Sequence, residues 1–126
     1  MQRDMQIVQP GVAQRMAEDD VLAALAATIK ARRTDPPAEK SYTRDLIEAG
    51  VEKCARKFGE EAIELVIATL SPSSPAVTSE AADLLYHLLV LLEARGVAYA
   101  DVLQALELRR GTSGHVEKAA RPKATA

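Results

Sequence analysis

Residues 84–92 read Leu-Leu-Tyr-His-Leu-Leu-Val-Leu-Leu, an apolar run interrupted only by His87. As a helix it is apolar almost all round, and a helix of that kind has to be covered on every side. The rest of the composition points the same way. Hydrophobic residues make up 48% of the chain, aromatic residues only 3%, and there is no Trp. A core of Ala, Leu, Val and Ile with so few rings suits packed helices better than a β-sandwich. The 126 residues make one domain, large enough to bury a core of its own. A domain this small is nevertheless short of surface with which to cover such a helix, so a homodimer that shares the core is expected.

The flanking sequence divides into helices. Asp19 or Asp20 can cap a helix over 20–33, with Val21, Leu22, Leu25 and Ile29 at near-helical spacing. Lys30, Arg32 and Arg33 fall in its last turn, where cations suit the helix dipole. Thr34-Asp35-Pro36-Pro37 ends it. Thr43 can cap a short helix over 44–49 that Gly50 closes, which leaves Ser41-Tyr42-Thr43 in a loop. A helix over 51–70 follows, with Gly59 in its middle. Ser74 can cap the next, with Pro75 as its first residue, running to Arg95 before Gly96. A last helix spans 99–110, with Ala98 where a polar cap is usual. Residues 1–18 form an extension, 19–112 the domain, and 113–126 a tail.

Charge and cysteine content narrow the class. A net charge of −2 implies no strongly basic surface, which argues against a general nucleic-acid binder. The run 84–92 is too short to cross a bilayer, and the charged N-terminal stretch has no apolar segment of a signal peptide. The single Cys54 has no internal disulfide partner, fits a reducing cytoplasm, and reads as a small core hydrophobe.

Chemistry concentrates in 53–83. Glu61 with Glu64, and Glu80 with Asp83, stand three residues apart on two helices. Residues at that spacing share a face, so antiparallel packing would turn the two pairs toward each other. Each pair alone is compatible with a solvated face. Asp83, however, directly precedes the apolar run and is expected at the edge of a buried region, where a carboxylate needs a partner or a metal. An all-oxygen set without Cys or His clustering suits Mg²⁺, or Mn²⁺, better than zinc. Di-iron bundles need Glu-x-x-His on two helices, and neither His87 nor His115 follows a Glu by three. His87 lies one turn beyond Asp83, either near a substrate or as a satisfied core histidine.

Three segments carry a resemblance. SYT-x-x-L (Ser41–Leu46), G-x-x-K-x-x-x-K-x-GEEA-x-E (Gly50–Glu64) and E-x-AD-LLYHLLVLL (Glu80–Leu92) closely resemble the phosphoribosyl-ATP pyrophosphatase family of histidine biosynthesis. That family belongs to the all-α nucleotide pyrophosphohydrolases, related to MazG-like and dimeric dUTPase-like proteins. The likeness covers about 21–110, and SG-x-x-EKAAR (Ser113–Arg121) is also similar. It implies an all-α bundle of four to five helices and hydrolysis of phosphoribosyl-ATP between its α and β phosphates, with Mg²⁺. Glu61, Glu64, Glu80 and Asp83 would be ligands, and Glu60, Glu61 and Glu64 the catalytic glutamates, with Glu60 as ligand or base. Lys53 and Lys57 would hold phosphate. From charge and loop position, Lys40, Arg32 and Arg33 would meet the extra ribosyl phosphate, and the hydroxyls of Ser41, Tyr42 and Thr43 either bind a phosphate or base or serve only as caps and turn bonds. Some relatives are fused to the next enzyme of the pathway, for which this chain has no room, so it is expected to act alone. Two rival readings share these residues: a housecleaning nucleoside triphosphate pyrophosphohydrolase of the same superfamily, and a non-enzymatic helical dimerisation module.

Overall fold

The computed structural model describes residues 21–34 and 41–111, together with 119, 121 and 122. The expected extension 1–18, Lys40 and most of the 113–126 tail lie outside them. The described residues form five helices and no strand: α1 (21–32), α2 (Tyr42–Ala49), α3 (Val51–Thr69), α4 (Ser74–Arg95) and α5 (Tyr99–Arg109).

The starts and stops follow from capping, with two changes from expectation. Ser41, not Thr43, caps α2: its hydroxyl accepts the Arg44 N–H at 3.1 Å. The helix therefore begins earlier and takes Tyr42 and Thr43 out of the loop. Ser73, not Ser74, caps α4, accepting from the Ala76 N–H at 3.3 Å, with proline just inside the start. Both shifts have one cause: the cap hydroxyl reaches the N–H three residues on, and in each case the earlier serine is the one so placed. Gly96 ends α4 in the left-handed conformation, φ 80°, that favours glycine. Ala98 precedes α5 without a side-chain cap bond.

The core lies at one end of the bundle. Ile29 of α1, Leu46 of α2, Cys54 of α3 and Leu89 and Val90 of α4 are buried together, with Leu22, Leu25, Tyr86, Leu92 and Tyr99 packed around them. The Cys54 thiol donates to the Leu46 carbonyl at 3.1 Å, and burial pushes its pKa up. It is an inert core group, as the sequence suggests.

Past this core α3 and α4 continue as a two-helix hairpin joined by the short 70–73 connection. The buried residues of α3 are Cys54, Glu61 and Ala68, seven apart, which puts them two turns apart on one face. Glu61 is thus on the face turned to α4. Sequence reasoning assigned it to a polar stripe with Lys53, Lys57, Glu60 and Glu64; its register belongs to the inside.

The other face of the hairpin is bare. Val66 (57% exposed) and Ile67 (61%) of α3 and Leu70 (83%) just past its end lie three, four and seven residues after Ile63 (60%), and Leu85 of α4 is 44% exposed. Among the described residues, the α4 run is therefore left partly uncovered at Leu85. Taken whole, α4 is also long and apolar enough by length and composition to cross a membrane, a test that core helices of soluble proteins pass as well. The expectation drawn from the nine-residue run alone does not extend to the full helix. A Cβ at Gly59 would meet nothing within 4 Å, so no contact among the described residues requires glycine there.

Ile29 is only 1% exposed and ties α1 to the α4 side of the core. Ile29→Ala is expected to lower unfolding stability by about 2–5 kcal/mol, measured by urea denaturation. A loss below about 1 kcal/mol would show that α1 packs loosely.

Candidate active site

The register of the α3–α4 hairpin determines which carboxylates meet. Glu64 lies near Glu80, Glu61 is within the field of Asp83, and Lys57 within that of His87. As one number rises the other falls, which is the signature of antiparallel neighbours. One carboxylate oxygen each from Glu61, Glu64 and Glu80 fall within 4.8 Å of one another. Asp83 adds its charge to the field on Glu61 without joining that group of three.

Burial is unevenly shared. Glu61 is 8% exposed, Glu80 is half-buried, and Glu64 and Asp83 are exposed. The sequence placed the costly carboxylate at Asp83; in the fold it is Glu61, because α3 turns that residue inward while Asp83 sits toward the rim. The Glu61 carboxyl is held above its ordinary pKa, first by desolvation, then by the charge of Glu64 and a hydrogen bond with it, then by Asp83. Glu80 Oε1 is buried without a hydrogen-bond partner. A buried acceptor left unpaired is unfavourable by about 1–3 kcal/mol, and three crowded oxygens with one orphaned acceptor fit a hard divalent cation. Glu61, Glu64 and Glu80 are the residues that could hold it.

Glu60, exposed and outside this group, receives the Lys57 ammonium at 3.4 Å. That bond is the main cause that raises the Lys57 pKa, followed by the Tyr42 side chain. Lys57 thus stands between the carboxylates and an aromatic cluster. Tyr42 stacks on Tyr86, centroids 6.5 Å apart, and meets the edge of His87 at 6.2 Å; Tyr86 and His87 are 5.0 Å apart. The Tyr86 and Thr43 hydroxyls bond at 2.5 Å. His87 is 7% exposed, and its pKa is lowered, chiefly by desolvation and then by Lys57. Burial and the Lys57 charge both favour the uncharged imidazole, and the ring packs against Tyr42 and Tyr86.

The remaining candidates divide. Lys53 and Lys57 line one cavity with Tyr42, Asp45 and Leu46. The Ser41 and Thr43 hydroxyls are engaged within the chain, as cap and as partner of Tyr86. Arg33 pairs with Glu93 at 2.8 Å. Glu93 is thirteen residues beyond Glu80 on α4, about 20 Å along the axis, so within one chain Arg33 is not brought to the carboxylates. Arg32 closes α1 beside it. Sequence reasoning missed Asp45 and Tyr86. The available signal for Asp45 was its three-residue spacing from Tyr42, legible only once Tyr42 is known to be helical.

A helical bundle that gathers carboxylates beside lysines suits a metal-dependent hydrolase, and comparison with known proteins makes the class specific. The family model for phosphoribosyl-ATP pyrophosphohydrolase matches residues 22–110. A phosphoribosyl-ATP pyrophosphatase of Dinoroseobacter shibae is 55% identical over 101 residues, covering 80% of this chain and 98% of that protein. Those of Ruegeria pomeroyi (53% over 103 residues; 82% and 97%) and Rhizorhabdus wittichii (54% over 102; 81% and 95%) are similar to it to the same degree. The chain belongs to the phosphoribosyl-ATP pyrophosphohydrolase family and is a hydrolase.

The raised pKa of Glu61 sets a pH dependence. In the unfolded chain Glu61 ionises at its ordinary value, and in the fold it keeps its proton to higher pH. The folded state binds more protons between those values, so the stability of metal-free protein falls as pH rises through that window. Glu61→Gln is expected to melt higher than the parent above the window, with the gap closing below it. A gap of the same size at every pH would rule out the Glu61 charge as its source.

Proposed function

We propose that this protein hydrolyses the α–β phosphoanhydride of phosphoribosyl-ATP, giving phosphoribosyl-AMP and pyrophosphate, the second step of histidine biosynthesis. The observation that carries the reading is the convergence of Glu61, Glu64 and Glu80 within 4.8 Å, with Glu80 Oε1 buried and unpaired. The names of the relatives supply the substrate.

Glu61, Glu64 and Glu80 would hold Mg²⁺, with Mn²⁺ the other ion that suits the set, and Asp83 at the rim would complete it. The bound ion supplies neutralisation of phosphate charge and acidification of water. Lys53 and Lys57 bind phosphate oxygens from the α3 side. Glu60 stays outside the group of three and is oriented by Lys57. It is the carboxylate free to accept the proton of the attacking water. His87, neutral and enclosed by Tyr42 and Tyr86, fixes the wall between the lysines and the apolar run. Arg32, Arg33 and Lys40 would meet the extra ribosyl phosphate, which for Arg33 requires giving up its pair with Glu93. The reading places the enzyme in the cytoplasm, where its soluble substrate is found, without nucleic-acid or membrane partners.

The reading also includes a homodimer. The stripe Ile63, Val66, Ile67 and Leu70, with Leu85 beside it, is the surface a second copy would cover. Light scattering at micromolar concentration should give twice the chain mass, and Ile67→Glu should shift it to the single-chain mass. A parent that is monomeric would defeat the proposal.

Activity is decided by pyrophosphate release from phosphoribosyl-ATP against a panel of nucleoside triphosphates. Glu64→Gln and Asp83→Asn should each lower turnover by about 10²-fold or more while keeping the helical circular dichroism. Preference for a simple triphosphate would assign the chain to housecleaning. Unchanged turnover in both variants would leave the carboxylates as a wet surface.

A further inference from the structure

The cavity between α2 and the start of α3 has walls that phosphate binding alone does not explain. It measures about 390 Å³ and is lined by Tyr42, Asp45, Leu46, Lys53 and Lys57, within the usual range of small-molecule pockets. Its two sides differ in charge: α3 contributes the two lysines, and α2 contributes an aromatic ring and a carboxylate. Tyr42 is 57% exposed, yet Tyr86 stacks against it and His87 meets it edge-on, so a supported ring offers an open surface. Asp45 follows Tyr42 by three residues on the same helix and so shares its face. Lys57 lines the cavity and also reaches Glu60, at 3.4 Å, next to Glu61 on α3. From α2 toward the carboxylates the order is therefore carboxylate and ring, then ammonium, then the Glu61–Glu64–Glu80 group.

That order matches a nucleotide bound with its base on Tyr42 and its phosphates on the lysines. A neutral adenine would use the ring but gain little from a carboxylate. Phosphoribosyl-ATP joins its second ribose to N1 of adenine, and an adenine alkylated at N1 carries a positive charge at neutral pH. A cationic ring gains from both walls, through the aromatic face and through the carboxylate.

We propose that Tyr42 and Asp45 form the subsite for an N1-substituted, positively charged adenine, and that this subsite separates phosphoribosyl-ATP from ATP. The inference rests on the proposed activity and adds the specificity-determining pair. Asp45 also sits in the first turn of α2, where an acidic residue favours the helix dipole. A structural role of that kind predicts no discrimination between ligands.

The test uses the full chain with Mg²⁺ and two commercial probes, AMP and 1-methyladenosine 5′-monophosphate, titrated by calorimetry. The parent should bind the methylated nucleotide about tenfold more tightly than AMP. Asp45→Asn should lower that ratio severalfold, leaving the share that the Tyr42 ring supplies. Tyr42→Ala should weaken AMP by about tenfold and the methylated nucleotide by more, and Tyr42→Phe should restore both. With phosphoribosyl-ATP as substrate, Asp45→Asn should raise KM more than it lowers kcat. A parent that binds neither probe, a parent ratio near one, or a ratio unchanged by Asp45→Asn overturns the subsite. Parent protein that releases no pyrophosphate from phosphoribosyl-ATP overturns the activity instead, so the two failures are told apart.

Discussion

Packing of α3 on α4 with Glu61 at an inside position is the constraint on which the rest of the molecule turns. An inward position in a two-helix hairpin is normally apolar, as Cys54 and Ala68 are two turns to either side. Placing a carboxylate there, against Glu80 and under the charge of Asp83, sets desolvation and like-charge repulsion against helix packing. The hairpin tolerates it because its other end is anchored in the five-helix core, where Ile29, Leu46, Leu89 and Val90 are buried. The stabilising part of the fold and the part that works against stability are thereby separated along the axis of α3 and α4. A cation at the carboxylates reverses the sign of the local electrostatics without asking the helices to move.

The same hairpin organises what surrounds the carboxylates. Lys57 is one turn before Glu61 on α3 and bonds Glu60, so it joins the acidic group to the aromatic cluster of α2 and α4. Tyr86 anchors that cluster through Thr43, and the buried, neutral His87 supports Tyr42 from the side. These contacts hold the start of α2 against α4. A polar cavity can then open between α2 and α3 without collapsing, because its aromatic wall is supported from behind.

A hairpin that projects past the core has two faces to cover and only one partner. The inner faces of α3 and α4 cover each other; the outer stripe from Ile63 to Leu70 does not. The site and the bare stripe are opposite consequences of one geometry, since the register that turns Glu61 inward turns Ile63, Val66 and Ile67 outward.

Much of this was legible in the residues alone. Helix content, the breaks at 71–73 and Gly96, and the two carboxylate pairs follow from local patterns: spacing, capping chemistry and chain-breaking residues. The motifs around them resembled the family to which the chain belongs. The sequence could not say which carboxylate is buried, because an i, i+3 pair spans two registers, and only the partner helix decides which one faces inward. Tertiary contact selected Glu61 over Asp83. The cap on Ser41 rather than Thr43 is likewise settled by which hydroxyl meets a free N–H, while Thr43 is drawn to Tyr86 from α4. That two-residue difference made Tyr42 and Asp45 neighbours on a helix. The sequence determined the helices and their chemistry; long-range packing decided which of their faces meet, because a helix face acquires its meaning only from what lies against it.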